Sequence, residues 1–398
     1  MITPNAGYRP NPERAIYITG EINQGMVDLL TPQIISLLSK SRDPITVYID
    51  SPGGNVRLME ALLGLLVSSD QDYGPACRLI TVVTSRAASA AADILSSGDY
   101  ALAFPHSTIL YHGQRLSPQE QPLTFEFTSL LADFLRRRND KYALELAQKV
   151  EDRFMFRFVS CKRSFDSVRQ SAPKQMTDLD CFIEMILEKI SPNASKVLRN
   201  ARQRYERYQG LLDSAARKYN SERYKNKRAV EFEAYLLKSI IDFQSKATNQ
   251  LDAAWTFESD GLSTLIDDFF LLFEYLRLSD SERFRRQCSR WHRFLLDTDE
   301  LEAIDRLPEA DRADRIIELV SPLLKPVWQF FLALCHALQQ GENDLVAKDA
   351  FWLGLVDEVI GMPWLPTRRW IYEYAPDPRP DHEAGTAAVP VEQSSPLG

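Results

Sequence analysis

A serine, a histidine and a pair of glycines are the residues of this chain whose types and surroundings could do chemistry, and that chemistry is acyl transfer. Ser89 opens an apolar helix in the stretch LITVVTSRAASAAADILSSG. A hydroxyl there meets the favourable end of the helix dipole, where developing negative charge is stabilised. His112 ends the strand-like run STILYH, and an imidazole is the usual base for a serine nucleophile. Gly53-Gly54 follows the run ITVYIDSPGG. A glycine turn between a strand and a helix start turns backbone N–H groups outward with no side chain in the way, which suits an oxyanion. Each feature also has a plainer reading. Serine among alanines commonly serves helix packing, and a strand-end histidine commonly bonds to backbone.

The elements that must position these groups follow from local pattern. Ala15 to Ile22, Ile45 to Ile49, Leu79 to Thr84 and Ser107 to Tyr111 are apolar or β-branched runs and predict strands. Met26 to Leu38 and a segment beginning near Val56 show helical striping. Strands alternating with helices predict right-handed βαβ units and a parallel sheet. From Ser117 onward the pattern turns helical. Thr124–Phe158, Met176–Ile190, Ala229–Phe243, Leu262–Leu276, Ser281–Leu296 and Ile316–Leu338 all predict helices.

Three segments, in order, resemble the proteolytic subunit of the Clp protease family, serine peptidases of the ClpP/crotonase fold. RAIYITGEINQGMVDLLTPQIISLLSKSRDPITVYIDSPGG resembles the family's first strand, first helix and SPGG turn. AASAAADIL resembles its nucleophile segment, and AKDAFWLGLVDEV its closing segment. The resemblance implies Ser89 as nucleophile, His112 as general base, and the N–H groups of Gly54 and Ala90 as the oxyanion hole. It implies an extended peptide substrate beside Gly53, Val56 and Arg57. Ungapped register puts the orienting acid on Glu342, and Asp344 competes two residues on; Asp349, Asp357 and Glu358 read as helix and turn residues. Ser85-Arg86 departs from the family's pattern, since Arg86 could narrow the site. The resemblance further implies a homo-oligomer, a peptide or unfolded protein as substrate and a possible ATP-dependent unfoldase as a separate partner. No metal and no cofactor is called for.

The expected architecture is α/β: a ClpP/crotonase-like core of repeated β-β-α and βαβ units with a large all-α insertion. Its expected divisions are an N-terminal segment 1–12, a core 13–158 carrying Ser89 and His112, a helical insertion 159–338, a return to the core over 339–373 carrying the acid, and a disordered tail 374–398. The span from Ser89 to Glu342 far exceeds the family's spacing. Loop closure entropy grows slowly with length, so such an insertion is tolerable.

Composition fits a cytoplasmic protein. The chain has 398 residues, 44% hydrophobic and 26% charged, with a net charge of −8, which disfavours nucleic acid and anionic lipid as partners. Cys77, Cys161, Cys181, Cys288 and Cys335 are scattered, without metal or disulfide spacing. No apolar run approaches the roughly 18 residues of a bilayer span, and Phe330–Leu338 reads as a buried helix. The stretch Ser195–Arg228 is basic and interleaved with Tyr205, Tyr208, Tyr219 and Tyr224. It reads as a solvated helix face or a partner-docking surface rather than a phosphate-binding one. Two other classes remain open from sequence. One is a catalytically silent scaffold; the other is a crotonase-type acyl-CoA enzyme, against which the Ser89 and His112 pair argues.

Overall fold

Apolar runs with β-branched residues form most of the strands that the periodicity predicts. The computed structural model describes residues 9–67, 77–115, 124–171, 176–222 and 282–367. The helices expected at Ala229–Phe243 and Leu262–Leu276, residues 223–228 of the basic stretch and the tail lie outside the described residues. Strands β1 (Ala15–Thr19), β2 (Ile45–Ser51), β3 (Leu79–Ala88), β4 (Tyr100–Ala103) and β7 (Glu358–Val359) run parallel in that order. Strand β5 (Thr108–His112) branches from the far end of β3, and β6 (Glu342–Val346) pairs antiparallel with β5. The described architecture is therefore α/β with a mixed sheet, and β6 is the departure from an all-parallel expectation.

Strand β3 outruns its predicted end at Thr84. Ile80–Val83 pair with β4, whereas Arg86–Ala88 pair with β5. A second partner for the strand's last turn-like residues keeps Ser85-Arg86 extended, and the chain reaches Ser89 directly from a strand. The short run Tyr100–Ala103, without a turn signal strong enough to mark it in sequence, is fully buried and supplies β4.

On the sheet lie α1 (Gln24–Lys40), capped by Asn23, and α2 (Val56–Leu66), capped by the Asn55 carboxamide, which accepts from Arg57 N and Leu58 N. Leu30, Ile34 and Leu37 of α1 are buried, as are Met59, Leu62 and Leu66 of α2. That i, i+4 and i, i+3 spacing is the apolar stripe a sheet-covering helix needs. Helix α3 (Ala90–Ser96) follows Ser89.

Everything described between β5 and β6 is helical: α4 (Phe125–Cys161), α5 (Phe165–Ser171), α6 (Asp178–Leu187), α7 (Pro192–Glu222), α8 (Glu282–Leu295), α9 (Thr298–Asp305) and α10 (Glu309–Leu338), apart from a short 3-10 turn after α4. Helix α11 (Ala347–Trp352) then leads to β7. Phe154 of α4 stacks on Phe331 of α10 with ring centroids 4.6 Å apart and meets Phe182 of α6 edge to face. Helix α10 amends one sequence expectation, because among the described residues it is long and apolar enough to cross a membrane. Val327–Leu338 of that helix are buried within the protein.

Two buried arginines of α4 fasten the closing segment. Arg153 Nε donates to Asp357 Oδ2 at 2.9 Å, and its Nη1 donates to the Ser96 and Leu355 carbonyls. Arg157 donates to the carbonyls of Phe351, Val356, Asp357 and Pro366 and lies 3.5 Å over the Phe351 ring. Asp357 also accepts from Ala101 N at 2.8 Å, so one carboxylate ties β4, α4 and β7 together. Asp349 caps the start of α7 by accepting from Ser191 N and Oγ. Glu358, expected in a helix or turn, sits in β7 and accepts from Tyr100 Oη at 3.0 Å.

Candidate active site

The Gly-Gly turn is a place where side chains do not fit. Gly53 has φ +93, and a Cβ there would come 2.4 Å from the Ala88 carbonyl oxygen and 2.8 Å from Ser89 Cβ. At Gly54 (φ +151) a Cβ would lie 2.4 Å from the Ile22 carbonyl oxygen. Glycine thus lets the turn press directly against the serine. Ile22 N donates to Gly53 O and Asn55 N to Ile22 O, which fixes the turn to the segment that follows β1.

Ser89 is the single non-glycine residue at positive φ among the described residues, with φ 55 and ψ −128. A non-glycine residue held there stores backbone strain, of order 1–3 kcal/mol, and persists only where its surroundings enforce it. The enforcement is visible. Ser89 N donates to Leu110 O of β5 at 2.9 Å, and Ser89 O accepts from Ala92 N to start α3. Behind it, Ser96 Oγ and Tyr111 Oη lie 2.5 Å apart, and Ser96 Oγ also donates to Ala92 O. Burial pushes the Tyr111 phenol well above its ordinary range, so the hydroxyl stays protonated as a donor.

A cleft of about 150 Å³ opens at this junction, lined by Gly54, Val56, Ser89, Ala90, Asp93, Tyr111, His112, Gln114, Arg115, Tyr142 and Gln339. It brings together four of the residues expected to act on a carbonyl: Ser89, His112, Gly54 and Ala90. Ala90 is the first residue of α3, where backbone N–H groups have no intrahelical acceptor. Val56 lines the cleft, Gly53 packs behind Ser89, and Arg57 is exposed outside the lining. Arg86 is exposed and also outside the lining, so it does not narrow the cleft.

Neither expected acid meets the imidazole in this structure. His112 Nδ1 lies 2.6 Å from Gly113 O. Glu342 is the cross-strand partner of His112, but its exposed carboxylate forms an ion pair with Arg115. Asp344 stands opposite Leu110 and is exposed. The loop after His112 is clamped from behind instead. Gln114 N donates to Asn139 Oδ1 at 2.7 Å, and a Cβ on Gly113 would come 2.7 Å from Asn139 Nδ2 and 2.9 Å from Gln339 O. One residue further, buried Asp140 of α4 bonds His336 Nε2 of α10 at 2.8 Å. His336 thus has a place in the fold that sequence did not suggest, while His106 is exposed and His292 lies 2.6 Å from Ser289 O.

Asp93 and Tyr142 are cleft residues that sequence reasoning passed over. Asp93 lies one turn beyond Ser89 on α3, and that i, i+4 spacing was the available signal. Tyr142 accepts from Arg138 at 3.0 Å and donates to Glu60 at 3.4 Å.

The Clp protease family model matches residues 9–138. This part of the chain is ClpP-like. Over 103 residues it is 37% identical to ATP-dependent Clp protease proteolytic subunit 2 of Prochlorococcus marinus (strain NATL2A), an alignment covering 25% of this chain and 48% of that protein. It is 34% identical over 103 residues to ATP-dependent Clp protease proteolytic subunit 3 of Synechococcus sp. (strain CC9605), with the same coverage. The chain spans about half the length of the curated relatives it matches. The ClpP-like stretch contains the turn, the serine and the histidine. The closing segment and most of the helical layer lie beyond it.

Among the described residues no cluster of His, Cys, Asp or Glu could hold a metal. All five cysteines are buried and none is in a disulfide. In the basic stretch, Arg202 bonds Asp180, Glu184 and Glu206, Tyr208 is buried and Tyr205 packs against Phe330. These contacts draw that part of the stretch into the fold.

Proposed function

We propose that this chain is a Clp-like serine peptidase with a ClpP/crotonase-type core and an all-α insertion over 159–338. The observation that carries the reading is the strained Ser89, held at positive φ in one cleft with His112, Gly54 and Ala90. Ser89 Oγ attacks the carbonyl of an extended peptide, and His112 Nε2 takes its proton and returns it to the leaving amine. The N–H groups of Gly54 and Ala90 receive the oxyanion, each worth roughly 3–4 kcal/mol. With Nδ1 directed at Gly113 O, the imidazole is held in the tautomer that leaves Nε2 as base. Glu342 or Asp344 would serve as acid only after leaving its present position. The protein acts as a homo-oligomer in the cytoplasm on peptides or unfolded protein, and any ATP-driven unfoldase is a separate chain.

A silent ClpP-like scaffold is the second reading, favoured by the engagement of Glu342 with Arg115 rather than with His112. Turnover of a short unstructured peptide separates the two. Ser89→Ala and His112→Ala should each abolish hydrolysis. Glu342→Gln and Asp344→Asn should each change kcat by less than about threefold if the Gly113 carbonyl sets the tautomer; a fall near ~10⁴ in either would mark the true acid. No hydrolysis by the unaltered chain supports the scaffold.

A further inference from the structure

Asp93 places a carboxyl in the same cleft as Ser89, one helical turn or about 5.4 Å further along α3. The walls around it are Tyr111 of β5, Tyr142 of α4 and Gln339 after α10, with Val56 of α2 also lining the cleft. We propose that this cleft is a recognition subsite for a cationic side chain with Asp93 as its counter-ion, so that the peptidase reading above, on which this rests, is sharpened to cleavage after lysine or arginine.

Three observations converge on a cation. The first is that, among the described residues, no cationic side chain forms an ion pair with Asp93, which stands half-buried in the cleft wall. Burial raises its pKa to about 6; Lys149 of α4 opposes that shift, and Glu145 of α4 and Glu60 of α2 add to it. A half-buried carboxylate without an ion-pair partner is poorly solvated, and an incoming ammonium or guanidinium offsets that loss. The second is that two cations beside the cleft are already engaged by other groups. Arg138 is engaged with Tyr142, and Arg115 at the cleft is engaged with Glu342. The third is reach. A substrate residue whose carbonyl lies at Ser89 meets Asp93 only through a long side chain, and an apolar one would strand the carboxylate.

The test uses the full chain and two probes. Benzamidine, an amidinium without a scissile bond, should bind the unaltered protein, and Asp93→Asn should weaken it by about tenfold or more, whereas Asp93→Glu keeps the charge and should retain binding. In parallel, matched peptides with lysine, arginine or leucine before the scissile bond should show kcat/KM favouring the basic residues by about tenfold or more, a ratio that Asp93→Asn should erase. Equal benzamidine affinity in the unaltered and Asp93→Asn proteins, or a preference for leucine in the unaltered protein, overturns the subsite. If a fluorophosphonate fails to label Ser89 and no peptide is cleaved, the peptidase reading falls by itself, and benzamidine binding alone then supports or overturns the cation site.

Discussion

The cleft and the helical layer behind it are held together by opposite means. Around Ser89 the contacts are backbone to backbone: two glycines with no room for a Cβ, a positive φ, and an N–H from Ser89 to Leu110 O. Behind it, α4 is fastened by charged side chains taken out of water, Arg153 and Arg157 against Asp357 and a set of carbonyls. The first arrangement sets position and contributes little stability of its own. The second fastens the closing segment to α4, because taking away one partner of a buried pair leaves an uncompensated charge. Damage to one should therefore show as lost chemistry and damage to the other as lost fold.

The largest effect expected from this contrast is on the helical side. Arg153→Met leaves Asp357 buried without its cation and should cost about 3–5 kcal/mol, read as a lower midpoint in urea unfolding. A change below about 1 kcal/mol would mean that the pair is not what holds β7 to α4. Gly53→Ala should do the reverse. Its Cβ cannot coexist with Ala88 O and Ser89 Cβ, so peptide turnover should fall by about a hundredfold while stability drops by only about 1–3 kcal/mol. Turnover that survives this substitution would detach the turn from the chemistry.

A smaller effect is written in Glu151, buried between α4 and α8 beside Arg283. Burial raises its pKa from 4.5 to about 7, outweighing the opposing effect of Arg283. The folded protein therefore holds this proton more tightly than the unfolded chain. The stabilising contribution is complete below about pH 4.5, declines as pH rises, and is gone above about pH 7. The decline should total roughly 3 kcal/mol or less, and Glu151→Gln should flatten it in unfolding curves taken across that range. Asp93, raised to about 6, adds a slope of the same sign that ends earlier.

The same contrast explains what the sequence could reveal. Gly53, Ser89 and His112 were legible because their work depends on immediate neighbours: a strand before, a turn or helix after. The α4 residues at the site were not, since nothing in the spacing of Asn139 or Tyr142 says that α4 returns to the loop after His112 and to the cleft. Nothing in the sequence pairs Arg153 and Arg157 with Asp357, which stands some two hundred positions away. Asp93 was hidden by the alanines around it, which announce close packing and draw attention from the one carboxylate in the run. The acid was misleading for a related reason. Register placed Glu342 across from His112, as β5 and β6 do pair it, but cross-strand neighbours are joined through their Cα positions and their side chains can still diverge.

The most direct test of the account is covalent. A fluorophosphonate probe applied to the full chain, followed by digestion and mass mapping, should place one adduct on Ser89 and none in Ser89→Ala or His112→Ala. Labelling that persists in Ser89→Ala, or an unaltered chain that is not labelled at all, would contradict it.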